Sequence, residues 1–245
     1  MPSLPELEAQ RTEALRLDSS CALETLDEAE GFLRERGLLT RTPDSALPSL
    51  FGACHEEPYK PGAGGFAEWP RTKWSWSFEL VERPGVYALK IHRGKTLYLS
   101  EATARLADPI LRAELERMEA ADEGWARLLR HLADAGPSEP EDLQVELSLS
   151  PPELRSLRAP LERCGAILTT SAGVARWDHV YSEAAGGEAD LGALVLAGVR
   201  AAVLCPEREP ERWFSWKWRW EDGLIDRFVG DGRLVRPAPG WLTAT

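Results

Sequence analysis

Two carboxylates in this chain stand where water could be activated. Asp44, in "TRTPDSALP", lies between a strand-like run and a predicted helix start. Glu68 lies in the glycine-rich loop "EEPYKPGAGGFAEWP", between Phe66 and Trp69, where apolar neighbours would raise a carboxyl pKa. The competing reading of Asp44 is a helix N-terminal cap beside Pro43. His55, His92, His131 and His179 are scattered, and no serine or cysteine triad follows from the spacing. Cys21, Cys54, Cys164 and Cys205 are far apart and form no C-x-x-C pair. That argues against a disulfide framework and a structural zinc site, and for small buried or half-buried thiols in a reducing cytosol. No metal and no cofactor is expected.

The other chemistry on offer is contact with phosphates and bases. Residues 58–95 hold seven basic residues, Lys60, Arg71, Lys73, Arg83, Lys90, Arg93 and Lys95, against three acidic ones. That balance of +4 leaves -15 on the rest of a chain whose net charge is -11. The total argues against a surface that binds nucleic acid everywhere, and the window is the one region with the right sign. Its glycine loop lacks the G-x-x-x-x-G-K-[ST] order of a nucleotide P-loop, although Gly62, Gly64 and Gly65 would let backbone amides approach a phosphate. "HRGK" puts His92, Arg93 and Lys95 at one hairpin tip, suited to phosphate contact. Trp74 and Trp76 have period-two spacing, so an extended segment would aim both at one face, either to stack on unpaired bases or to fill core. "RWFSWKWRW" (212–220) shows the same extended rhythm, with aromatics on one face and cations on the other.

Helices and hairpins must position these side chains. "DEGWARLLRHLADAG" (122–136) places Trp125, Leu128, Leu129 and Leu132 on one helical face and stops at Gly136-Pro137. Ser138, with Glu141 three residues on, has capping-box spacing and opens a short helix expected to bury Leu143, Val145 and Leu147. "SPPE" at Ser150 caps a third helix, with Pro151 at its first position and a stop at Cys164-Gly165. "AILTTSAGVARW" then reads as a hairpin. Three helices and a hairpin describe a winged helix-turn-helix, in which the third helix enters the major groove. Arg155 and Arg158 would lie on that helix's outer face. Residues 122–183 nevertheless carry six basic against eleven acidic residues, so a solvated face or a protein-protein spacer is the competing reading.

The pattern recurs. Predicted helices 22–36 and 43–54 precede the hairpin 82–100. Helix "DLGALVLAGVRAAVL", a short helix in "PEREPERWFSW" and helix "LIDRFVGDG" precede the hairpin "RLVRPAPGWLT". The expected fold is therefore α+β, mainly α: tandem winged helix-turn-helix units with small β-hairpin wings. The units are 1–120 (with the basic and aromatic segment and a linking helix 101–120), 121–182 and 188–245, with "EAAGGEAD" (183–190) as the linker. No apolar run approaches the roughly 18 residues of a membrane span, and the N-terminal stretch lacks signal-peptide order, so a soluble cytoplasmic protein with no membrane partner is expected.

Across "FLRERGLLTRTPDSALPSL", "EPYKPGAGGFAEWPRTKWSWSFELVERPGVYALKIHRGKTLYLS", "LLRHLADAGPSEPEDLQVELSLSPPELRSLRAPLERCGAI" and "PERWFSW…LIDRFVGDGRLVRPAPGWL", the chain resembles the bacterial winged-helix DNA glycosylases of the AlkZ/YcaQ group, especially the shorter AlkZ-related proteins. The resemblance implies tandem winged helices with a concave surface for duplex DNA, damaged or intact. It also implies metal-free hydrolysis of the N-glycosidic bond of alkylated or crosslinked bases. That family's catalytic motif, Gln-hydrophobic-Gln or Gln-hydrophobic-Asp after the early helix, corresponds here to Thr40-Arg41-Thr42 followed by Asp44. The motif is thus degenerate. A non-enzymatic regulator or protein-interaction module is the alternative.

Overall fold

Most of the longer helices begin where a side chain can satisfy free backbone amides. The computed structural model describes residues 2–245. Helix α1 (Leu4–Ala14) opens on a Ser3/Glu6 capping box. Thr25 caps α2 (Leu26–Arg36), which ends at Gly37 in a positive-φ conformation. Strand β1 (Leu38–Thr40), α3 (Leu50–Cys54), α4 (Trp76–Glu79), β2 (Val86–His92) and β3 (Lys95–Ser100) follow. Ser100 caps α5 (Glu101–Ala121), the longest helix. The central elements are α6 (Glu123–Ala135), α7 (Pro140–Glu146), α8 (Pro151–Cys164), β4 (Ile167–Thr170), β5 (Gly173–Arg176) and α9 (Trp177–Val180). The C-terminal part holds α10 (Leu191–Ala202), β6 (Cys205–Pro206), α11 (Leu224–Gly230), β7 (Leu234–Val235) and β8 (Trp241–Ala244). The protein is α+β, about 52% helical with small antiparallel sheets.

One strand order occurs in two sheets and is echoed by a single bridge in the centre. In the first sheet β1 pairs with β3, the second strand of the β2–β3 hairpin, giving β1-β3-β2. In the last sheet β6 pairs with β8, giving β6-β8-β7. In the centre Ser138 forms an antiparallel bridge with Val174 of β5, the second strand of the β4–β5 hairpin. In each case a short extended segment after the first helix returns to the far strand of a later hairpin.

Period-two alternation in β3 divides the interior. Leu97 and Leu99 face a large apolar cluster, and Tyr98 faces a smaller one. The large cluster runs from Leu38 and Ile91 through α5 to Leu129, Leu161, Val199 and Leu242, so it joins all three strand groups. The small cluster holds Phe32, Leu33, Phe51, Trp69 and Tyr98. Helix α5 lies at the centre and carries two wholly buried carboxylates, Asp108 and Glu114. Asp108 accepts hydrogen bonds from Trp177 Nε1 (2.7 Å), the Ala185 amide (2.8 Å) and Arg112 Nε (2.9 Å). Glu114 accepts from Arg219 Nε (2.6 Å), Arg117 Nε (2.8 Å) and Trp218 Nε1 (3.1 Å). Buried charge of this kind is tolerated only when so partnered.

Some expectations are corrected. Ser138 does not cap α7: its backbone is used in the bridge to Val174 (3.0 and 2.8 Å), and its hydroxyl donates to the Gly136 carbonyl. Leu143 and Leu147 are buried, but Val145 is 76% exposed. The predicted helix 43–54 shrinks to α3, because Pro48 cannot supply an amide inside a helix and Ser49 makes a better cap. Residues 212–220 are not extended: Pro210–Arg212 and Lys217–Arg219 are 3-10 turns that bury Trp213 and Trp216 and leave Trp218 56% exposed.

Candidate nucleic-acid interface

Residues 58–70 form a closed loop. Pro58 bridges to Pro70, the Tyr59 amide donates to the Trp69 carbonyl (3.1 Å) and the Lys60 amide to the Ala67 carbonyl (2.6 Å). Between them Gly62, Gly64 and Gly65 take positive φ with open space around them. Glu56 clamps the exit: it accepts from the amides of Thr72 (2.8 Å) and Lys73 (2.9 Å) and from the Thr72 hydroxyl (2.7 Å). Partial burial works against the Glu56 charge, but these hydrogen bonds win and hold its carboxyl below the ordinary range.

Trp69 anchors the surface. It is buried, with Phe51 at 5.3 Å, Phe66 at 4.3 Å and Phe78 at 6.2 Å between ring centroids. Trp74 meets Phe78 edge-on at 6.1 Å. The Arg41 guanidinium lies over the Trp69 ring at 4.4 Å. Phe66, Trp74, Phe78 and Tyr59 are exposed around this anchor, as are Lys60 and Arg71. Beside it a cavity of about 200 Å³ is bounded by Phe78, Val81, Tyr98 and Leu168, with Arg41 and Lys90 among its walls.

Trp74 and Trp76 do not share a face. Residues Lys73–Ser75 form a 3-10 turn that runs into α4, so spacing of two turns the rings apart. Trp74 is 47% exposed, and Trp76 packs on the small core beneath the Lys73 ammonium (5.4 Å). Lys73 itself donates to the Leu23 carbonyl (2.6 Å) and pairs with Glu24 (3.2 Å).

The hairpin tip is not a projecting basic point. Arg93 and Gly94 make the tight turn with positive φ, and the turn is packed in on both sides. Arg93 donates to the Asp44 carbonyl (2.9 Å) and lies 3.3 Å from its carboxylate, which also pairs with Lys95. The Gly94 amide donates to Ser215 Oγ (3.3 Å). Buried His92 places Nε2 3.3 Å from Asp44 Oδ1. Partial burial alone would raise the Asp44 carboxyl, but the Lys95 hydrogen bond and nearby positive charge hold it low. Burial, then the Arg93 charge, depresses the His92 imidazole, so the cations acting on Asp44 at neutral pH are Lys95 and Arg93. Asp44 is therefore an ion-pair hub and caps no helix; Ser49 caps α3. Glu68 lies exposed in a 3-10 turn and shares no hydrogen-bond partner with Asp44 or Lys73. Thr40, where the resemblance would put the catalytic motif, is buried and donates its hydroxyl to the Pro48 carbonyl (3.2 Å).

On α8, Arg155 is exposed and Arg158 is not free. Arg158 donates to Glu162 (2.7 Å) and Thr169 (3.3 Å), and Glu162 pairs with Lys90 of β2. Five of the seven cations of 58–95 are thus tied to carboxylates outside that window: Lys73 to Glu24, Arg83 to Asp27 and Glu30, Lys90 to Glu162, and Arg93 and Lys95 to Asp44. Among the described residues, Lys60 and Arg71 pair with none. Cys54, Cys164 and Cys205 are buried, which pushes their thiols up to about 12, about 11 and about 12, so none is a thiolate nucleophile at neutral pH. The sequence reading did not single out Arg41, Tyr59, Phe66 or Phe78 for the site. The aromatic run itself was the available signal for Phe66 and Phe78. Comparison with protein-family models, curated proteins and solved structures gave no match to this chain.

Proposed function

We propose that the chain is a duplex-DNA-binding protein of three winged-helix units, with the scaffold of the AlkZ/YcaQ-type glycosylases and its catalytic position given over to structure. The observation that supports this reading is one strand order, present in two three-stranded sheets and echoed in the centre by a single bridge, which is the order expected of winged-helix units. Exposed Arg155 on α8, with Lys60 and Arg71 beside the aromatic loop, supplies the phosphate contacts. Asp44 is unsuited to activating water, because Lys95, Arg93 and His92 already occupy its carboxylate. A second reading, a protein-interaction module, is favoured by the net charge of -11 and the internal pairing of most patch cations.

The test is binding of plain and alkylated duplexes across a salt series, with an assay for abasic sites. Both duplexes are expected to bind at low salt, with a slope of log K against log salt of about -3, from roughly three phosphate contacts. No abasic product is expected. Absence of binding to either duplex at low salt overturns the proposal in favour of the interaction module, and abasic product overturns the structural role given to Asp44.

A further inference from the structure

Eight large apolar side chains stand exposed among the described residues, and four of them fall between positions 59 and 78: Tyr59, Phe66, Trp74 and Phe78. Three of the four belong to one file of rings. Phe66 touches Trp69, Trp69 touches Phe78, and Phe78 touches Trp74, at 4.3, 6.2 and 6.1 Å between centroids. The file leads to the 200 Å³ cavity, because Phe78 is part of both. Arg41 also belongs to both: it covers Trp69 and lines the cavity, and among the described residues its guanidinium meets no carboxylate. Glu162 is also in the wall, but it is paired with Lys90 and Arg158, so a largely apolar slot with one unpaired cation suits a flat ring that carries an anion nearby. Outside the slot, the open rings share their stretch of chain with exposed Lys60 and Arg71, and with exposed Glu68 and Glu79.

We infer that this face is a platform for an unpaired nucleic-acid strand, with bases stacked on Phe66, Phe78 and Trp74 and one base in the cavity beside Arg41. The inference rests on the nucleic-acid reading above and names a substrate class for it. Base stacking on protein rings needs no particular sequence, because every base has a π-face. The face itself favours this occupant: its exposed rings can stack on bases, and Arg41, Lys60 and Arg71, which pair with no carboxylate among the described residues, can meet phosphates. It also favours a polyanion over an uncharged peptide, which would leave Arg41 without an anion.

The experiment uses the full chain with three probes at low salt: an oligothymidylate of roughly 12 nucleotides, a duplex containing it, and thymidine monophosphate. The variants are Trp74→Ala with Phe78→Ala, both at exposed positions, and Arg41→Gln. The strand is expected to bind at least about ten-fold tighter than the duplex. The double variant should lose roughly 100-fold for the strand, about ten-fold per ring, with duplex affinity and circular dichroism unchanged. Arg41→Gln should weaken the strand several-fold. If the strand binds no tighter than the duplex and ignores the double variant, the inference falls while duplex binding stands. If neither binds, both readings fall. If the mononucleotide saturates the site as tightly as the strand, the cavity serves a free nucleotide and the platform is wrong. If sedimentation shows a concentration-dependent dimer that the double variant abolishes, the face is a self-association surface, which also overturns the inference.

Discussion

Asp44 holds two chain segments together through charge. Its carboxylate meets Lys95 and Arg93 from the hairpin turn and His92 from beneath it. Asp44→Ala should cost about 1–2 kcal/mol in unfolding free energy, since the pairs are partly exposed and the cations left behind repel one another. Arg93→Glu with Lys95→Glu should likewise damage stability more than any binding, a prediction opposite to that for an open wing tip. The pH dependence has a fixed sign. His92 is depressed in the folded state, so the unfolded chain takes up its proton first and stability declines as pH falls below about 6.5. Asp44 is also depressed; its contribution is complete above the ordinary aspartate value of 3.8 and is lost as pH falls further. Urea unfolding from pH 8 to pH 3 reads both. Stability that is flat from pH 8 to pH 5 would refute the His92 assignment.

At the scale of elements, α8 is fixed to the rest of the molecule at its end. Gly165 has φ +81°, and a Cβ there would sit 2.2 Å from Leu111 Cδ2 of α5 and 3.0 Å from Ile91 Cγ2 of β2. Gly165→Ala should therefore cost about 3 kcal/mol or more, from backbone strain and overpacking together, measured as a lowered denaturation midpoint. That stop was legible in the sequence. So were α5, α6 and α8, within a residue or so of their observed ends, because their apolar period and caps are local signals. The ion pairs were not. Lys73 pairs with Glu24 across 49 residues, Asp44 with Lys95 across 51 and Lys90 with Glu162 across 72. A charge count over a window sees neither partner's position, which is why the +4 segment looked more basic than its folded surface is. The rhythm of Trp74 and Trp76 misled for a related reason: packing on the small core selects helical turns there, and period two has meaning only in an extended chain.

The three strand groups share one large core, so they are not independent beads. Unfolding followed by tryptophan fluorescence and by circular dichroism should give one coincident transition rather than three. Asp108→Ala should lower that whole transition, by about 3 kcal/mol, because it strips partners from Arg112, Trp177 and the Ala185 amide at once. Separate transitions would refute the shared core. Within the linker expected at 183–190, the Ala185 amide is held by Asp108 of α5.

The closed loop at 58–70 separates two jobs along the chain. Its neck is fixed by the Pro58–Pro70 bridge and the buried Trp69, and at its tip a Cβ added to Gly62, Gly64 or Gly65 would meet nothing within 4 Å. Lengthening such a tip costs little free energy, because closure entropy grows only slowly with loop size. Over evolutionary time this surface can acquire or shed residues, and with them new specificities, while the scaffold beneath stays the same.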